Sequence, residues 1–249
     1  MKIDHLVLNI DKKYQRDKKE IQAIREAGLP YEPNWGKGTK GFKASNIWIG
    51  REYFEMINLL KKDGGGWQPE WVDRYNRGHR GMVCLMLAVD NIEDIYSDGL
   101  AKGISITKPE YLTFKWGLGL FTRTMPWSNS YFDFLEGIPI QIGLQQMKDD
   151  KAEEFMCQYM VPNSSENGIT GISEIRICGE FTENDFRTIS CIFKNTDSLQ
   201  SGIRANLRGG QKISFIRATE YSVDVMAAAK DIGFKGKKIR IENVNIYIE

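Results

Sequence analysis

A pattern that starts three times constrains this chain more than any other feature. Residues 3–10 (IDHLVLNI) alternate as a strand, Asp11 offers a helix cap, and Tyr14, Ile21 and Ile24 fall on one helix face. Gly28 and Pro30 stop that helix, and strand-like pieces follow over 39–60, ending in REYFEMINLL. The pattern restarts at 82–89 (MVCLMLAV), with Asp90 as cap, NIEDIYSDGLAKG as a short helix, and strand-like stretches near 112–122 and 130–145. A third start is ISEIRICG (172–179), with Thr182 capping ENDFRTISCIFK; GIRANL, KISFIR and KKIRIENVNIYI finish the chain as strands. A recurring unit of this size buries its apolar face only by stacking on its copies. The expected fold class is α+β: repeated βαβββ units forming curled mixed sheets, with an additional C-terminal βαβββ-like unit.

Two connectors separate the units. Residues 61–80 hold Gly64-Gly65-Gly66 and then Pro69 in the first turn of a short helix that stops near Gly78. Residues 148–167 join a charged helical stretch to the polar loop PNSSENG. The expected organisation is a domain over 1–147 made of two units (1–60 and 80–147), a connector over 148–167, and a third unit over 168–249.

Composition removes several function classes. Lys+Arg 34 against Asp+Glu 33 leaves no broad electrostatic case for nucleic acid. No apolar run approaches the roughly 20 residues a membrane helix needs. Charges inside the first apolar stretch argue against a signal peptide, and cysteines that read as reduced thiols lead to the expectation of a cytoplasmic location. The four cysteines show no CxxC spacing; Cys84, Cys178 and Cys191 lie among apolar neighbours and read as reduced, buried thiols. With only His5 and His79, a three-histidine metal site is excluded by counting. GKGTKG (36–41) matches G-x-G-x-x-G, but no strand precedes it and FKASNIWIG continues as a strand, so it reads as a glycine-rich hairpin. His79, in NRGHRG, is expected to be exposed.

Period-two alternation selects the chemistry-bearing residues. His5 shares a strand face with Ile3 and Val7, and Glu55 shares one with Tyr53 and Ile57. A carboxylate on an inward face is desolvated, which raises its pKa and suits it to act as a general base beside His5, or as a hydrogen-bonded strut. Trp35, Trp48, Trp116 and Trp127 occupy stretches expected to line or cover a cleft, a setting that suits a planar organic ligand. Arg123, near Trp116 and Trp127, is expected to supply an anion contact or a cation–π pair.

These stretches resemble a known family. IDHLVLNI, a helix, then GTKGFKASNIWIGREYFEMINLL is similar to the first half of a glyoxalase-like domain. RGMVCLMLAVDNIEDIYSDGLAKGI resembles the start of the second half, and FKWGLGLFTRTMPWSNSYFDFLEGIPIQIGLQQ its strand-rich remainder. The superfamily implied is the vicinal-oxygen-chelate (glyoxalase/bleomycin resistance/dioxygenase) fold, whose paired units curl into a cleft. In metal-using members the ligands sit on the first and last strands of each unit. Carried over, these positions are His5 and Glu55 in unit one, and Cys84 and Gln141 in unit two, with Gly143 as the alternative register to Gln141. The second pair departs from the metal-binding pattern, so the expectation is no resident cofactor, with His5 and Glu55 the pair for any weakly held divalent metal. The resemblance further implies a small organic molecule as partner; independently, sheet-rich units pair readily across their edges, so a homodimer is expected. Lyase, isomerase or dioxygenase-type chemistry, non-catalytic sequestration of the bleomycin-resistance type, and a scaffold role all remain open.

Overall fold

The computed structural model describes all residues except 37, 117–120 and 231, together with every side chain outside these and 114–116 and 121. The first unit comprises β1 (Lys2–Asn9), α1 (Lys13–Arg16), α2 (Lys18–Glu26), β2 (Phe42–Ile49) and β3 (Glu52–Leu59). Asp17 splits the single helix expected here: its extended backbone ends α1, and its carboxylate accepts from Lys19 N to cap α2. The connector helix α3 (Pro69–Asn76) leads to β4 (Gly81–Ala88), α4 (Ile92–Ala101), β5 (Glu110–Trp116), β6 (Phe121–Tyr131) and β7 (Gln141–Met147). The glycine-rich hairpin before β2 is closed by an antiparallel bridge from Gly38 to Lys43.

These strands form one seven-stranded sheet in the order β2-β3-β1-β4-β7-β6-β5. β1 and β4 run antiparallel at its centre, and each lies parallel to the last strand of its own unit, β3 and β7 respectively. The two units are thereby related by an approximate twofold.

After α5 (Asp150–Cys157) the scheme is built again. β8 (Ile169–Gly179), α6 (Glu183–Ile192), β9 (Thr196–Leu199), β10 (Gly202–Asn206) and β11 (Lys212–Arg217) make the anticipated third unit. Beyond it lie β12 (Ser222–Ala229), β13 (Lys238–Ile241) and β14 (Val244–Ile248). The second sheet runs β13-β14-β12-β8-β11-β10-β9, with β12 antiparallel to β8 and parallel to β14. The C-terminal region is therefore a βαβββ unit plus three further strands placed as β1, β2 and β3 are in the first sheet. KKIRIENVNIYI is two strands rather than one, because Glu242 adopts φ 55 at the turn between them.

One core serves both halves. Leu6, Leu8, Leu85 and Leu87 from the first sheet join Ile175, Ile177, Val223 and Val225 from the second, with Ile24, Ile92 and Ile189 from the helices. Polar ties reinforce the junction. Asp185, which is 2% exposed, accepts from Glu136 N at 2.7 Å, Gly137 N at 3.0 Å and Thr182 N at 2.8 Å. Gly137 has no substitute, since a Cβ there would sit 2.0 Å from Glu180 O. Met82 N donates to Asn243 Oδ1 at 3.0 Å, and Tyr221 Oη donates to Met82 O at 2.6 Å.

His79 is not the exposed residue expected of a polar connector. Its ring stacks on Tyr221, with Nε2 3.1 Å from Met82 O, and burial lowers its pKa. All four cysteines are free, but only Cys84 is fully buried; Cys178 and Cys191 are partly exposed, contrary to expectation. Among the described residues, no helix is long and apolar enough to cross a membrane.

Candidate functional site

The face of the first sheet opposite the main core carries the site. Cross-strand register sets Glu55 beside Val7, Val7 beside Cys84, and Cys84 beside Gln141. One rung away, His5 pairs with Tyr53 and with Met86, and Met86 with Gly143. The four positions expected from alternation therefore share one face, and His5 Nε2 lies 3.9 Å from Glu55 Oε2.

A residue that alternation misses completes the arrangement. The pairing of β1 with β4 slips between Ile3 and His5, leaving Asp4 as the extra residue of a β-bulge. The bulge turns Asp4 toward the same face as His5, and His5 Nδ1 lies 2.5 Å from Asp4 Oδ1. Gln145 Nε2 donates to both Asp4 oxygens, at 3.3 and 3.4 Å. An ionised carboxylate only accepts, so the proton of this bond belongs to Nδ1, and Nε2 faces Glu55. The side chains of Asp4, His5 and Glu55 are 18%, 7% and 22% exposed, so the line is shielded but reaches solvent at Glu55.

Burial pushes the Glu55 carboxyl above the usual carboxylate range; His5 opposes the shift and Asp4 adds to it. Tyr53 is raised well above an ordinary phenol by burial, then by the charges of Glu55 and Asp4. The Cys84 thiol is likewise raised, chiefly by burial and next by Glu55, and Sγ contacts Met86 Sδ at 3.5 Å. Gln141 spends both ends within the protein: Trp71 Nε1 donates to Oε1 at 2.8 Å, and Nε2 donates to Phe132 O at 2.9 Å.

The aromatic walls are only partly those expected. Tyr53 is sandwiched between His5, with ring centroids 4.4 Å apart, and Trp48, 4.3 Å away. The remaining cover comes from the connector. Trp71 of α3 meets Tyr131 edge-on at 5.8 Å, and Trp67 packs on Trp71 and Phe42. Trp35 does not contribute, being 64% exposed. Trp127 sits on β6 opposite Met147, toward the outer edge of the sheet. The Trp116 side chain lies outside the described residues. Arg123 is exposed on β6 and, among the described residues, makes no contact with the site. Pro69 followed by Trp71 and Val72 was the available signal for a covering helix; Asp4 had none.

The metal site that the family resemblance implies does not fit these donors. Gln141 has no free end, the Cys84 thiol is held protonated, and His5 Nδ1 is committed to Asp4. Only Nε2 and Glu55 remain, short of the three protein ligands of a catalytic zinc site. Among the described residues no group of three or more His, Cys, Asp or Glu side chains converges to hold a metal ion.

No family model and no curated protein matches the sequence. Solved structures do match. A hypothetical protein from Staphylococcus aureus superposes with a TM-score of 0.71 over 100% of this chain and 98% of its own, at 12% identity. A triple mutant of 4-hydroxymandelate synthase from Streptomyces coelicolor gives a TM-score of 0.53, covering 93% of this chain and 71% of that one, at 11% identity. Methylmalonyl-CoA epimerase from Streptomyces coelicolor covers 60% of this chain and 99% of its own, at 10% identity and a TM-score of 0.40. Identities this low speak to the fold. Curled sheets of paired βαβββ-type units, with whole-chain likeness at this level, give the chain the fold of the vicinal-oxygen-chelate superfamily.

Proposed function

We propose that the protein binds a small organic molecule in the cleft of the first sheet, and that His5 and Glu55, with Asp4 orienting the imidazole, move a proton to or from it without a metal. The observation that carries this reading is the line of three titratable side chains inside an aromatic-walled face. His5 Nε2 is the exchanging atom, 3.9 Å from Glu55. Glu55, with its raised pKa, holds a proton at higher pH than an exposed carboxyl does and serves as donor or acceptor. Asp4 is a positioning residue: it fixes the imidazole tautomer and touches no ligand atom. Trp48, Tyr53, Trp71 and Tyr131 bind the ligand body and exclude water.

The test is a ligand screen followed by nuclear magnetic resonance, with resonances of His5, Tyr53 and Trp71 as reporters. Hits should shift these signals, and His5→Ala or Glu55→Gln should weaken them. Shifts confined to other surfaces would refute the reading. Sequestration without turnover is the second reading, favoured by the missing metal donors and by the Trp67–Trp71 cover. A ligand bound at one equivalent and recovered unchanged would select it.

A further inference from the structure

The helix that covers the cleft is anchored firmly at its two ends and lightly between them. On the incoming side, Leu60 N and Lys61 N both donate to Gly41 O, at 2.8 and 3.0 Å. On the outgoing side, His79 stacks on Tyr221, and its Nε2 lies 3.1 Å from Met82 O. Just inside each anchor stands a glycine with a left-handed backbone: Gly66 at φ 92, and Gly78, which ends α3, at φ 95. A Cβ at either would meet nothing within 4 Å, so the chain can turn at both without a clash.

Between these glycines Glu70, Asp73, Asn76 and Arg77 are exposed, and Trp71, 3% exposed, is the main inward anchor. Trp71 Nε1 donates to Gln141 Oε1 at 2.8 Å, and Tyr75 Oη accepts from Asn58 Nδ2 at 2.8 Å. The Trp71 ring lies in a small apolar cluster with Val7, Ile57, Cys84 and Met86, separate from the main core. The closed position is not fully satisfied: among the described residues, Trp67 Nε1 is buried with no acceptor, a cost that opening to water relieves. A segment held by few buried contacts and hinged at both ends opens without unfolding the whole molecule. We infer that residues 67–77 are a lid that swings about Gly66 and Gly78, and that the cleft admits a ligand when Trp71 parts from Gln141. This rests on the proposed reading of the cleft as the ligand site; the opening itself is measurable without a ligand.

Cys84, fully buried in the cluster that Trp71 closes, reports the opening. N-ethylmaleimide is added to the full chain at fixed pH, over urea concentrations below the unfolding transition. Mass spectrometry of the Cys84 peptide then gives its labelling rate apart from the other three cysteines. A swinging lid exposes little surface, so the rate should depend on urea far less steeply than global unfolding does. Trp71→Phe, which removes the bond to Gln141, should raise the rate by about tenfold and keep the shallow slope. The urea series uses the unmodified protein, so it decides the matter even if Trp71→Phe misfolds. A slope equal to that of global unfolding would show that α3 is fixed and would overturn the lid. A folded Trp71→Phe variant that labels no faster would overturn it too. Either failure leaves the cleft reading to be judged by the His5 resonances in the ligand screen; hits that never move His5 would sink that reading whatever Cys84 shows.

Discussion

Asp4 and His5 are consecutive residues of β1, yet their side chains meet on one face of the sheet, 2.5 Å apart. An unbroken strand would send them to opposite faces. The bulge opposite Leu87 and Met86 removes that constraint and converts a sequence neighbour into a carboxylate behind the imidazole.

The imidazole tautomer follows from this contact. In the native protein the His5 ring nitrogens should report a protonated Nδ1 and a bare Nε2 when the ring is neutral. Asp4→Asn permits the reverse arrangement, because an amide can donate to Nδ1. Any proton-transfer activity should then fall by about 100-fold or more. Nitrogen-15 spectra of the ring measure the tautomer directly; a native ring protonated at Nε2 would refute the orienting role of Asp4.

Much of this face was legible because period two is rigid. Once IDHLVLNI and REYFEMINLL are strands, His5 and Glu55 must project to fixed sides, and the repeat brings those sides together. Asp4 was illegible because a bulge leaves no compositional mark. Trp67 and Trp71 were missed as cleft residues because the direction in which a connector folds is decided by packing, here by Phe42, Tyr131 and Gln141. β12 was missed because SVDVMAAA is rich in small residues and no helix follows it. The turn at Glu242 carried no glycine to announce it.

Glu55 has a pH signature of its own. Its folded pKa lies above its unfolded value, so its contribution to stability is present below about pH 4.3 and is lost as pH rises through the folded pKa. Glu55→Gln removes that loss. Urea unfolding across a pH series should show the variant gaining on the native protein as pH rises. A difference that is flat, or that runs the other way, would mean the carboxyl is not desolvated.

Trp71 joins the connector to the cleft through one bond to Gln141, 2.8 Å long. Trp71→Phe keeps most of the ring but leaves Gln141 Oε1 buried without a donor, at a cost of about 1–3 kcal/mol. Trp71→Ala adds a cavity beside Tyr131 and Trp67 and should cost about 3–5 kcal/mol. Chemical denaturation of both variants measures this. Equal losses would assign the whole effect to the hydrogen bond.

Asp185 stabilises two things at once. It completes the capping box of α6 with Thr182, and it holds the Glu136–Gly137 turn of the first half. Asp185→Ala leaves three part-buried backbone amides without their acceptor and should cost about 2–3 kcal/mol. Hydrogen exchange should then rise at both the α6 N-terminus and residues 136–137. Exchange that rises only at α6 would show that the turn is held by other contacts.

Metal content is where family likeness and side chains part. The resemblance implies a divalent ion held by donors from both units, but here the second unit offers Cys84 and Gln141. Gln141 is bonded at both ends, and a neutral amide is in any case a poor donor for a hard or borderline cation. Cys84 would have to ionise in a fully buried setting, where desolvation and the charge of Glu55 both oppose the thiolate. His5 and Glu55 alone make half a site, and the bond to Asp4 fixes the ring for Glu55. Protein purified without added metal should therefore carry well under one equivalent of zinc, nickel, manganese or iron by elemental analysis. His5→Ala should alter ligand binding while leaving metal content unchanged. Stoichiometric metal that His5→Ala removes would mean that Cys84 or a ligand from outside this face completes the coordination, and the metal-free reading of the cleft would fall.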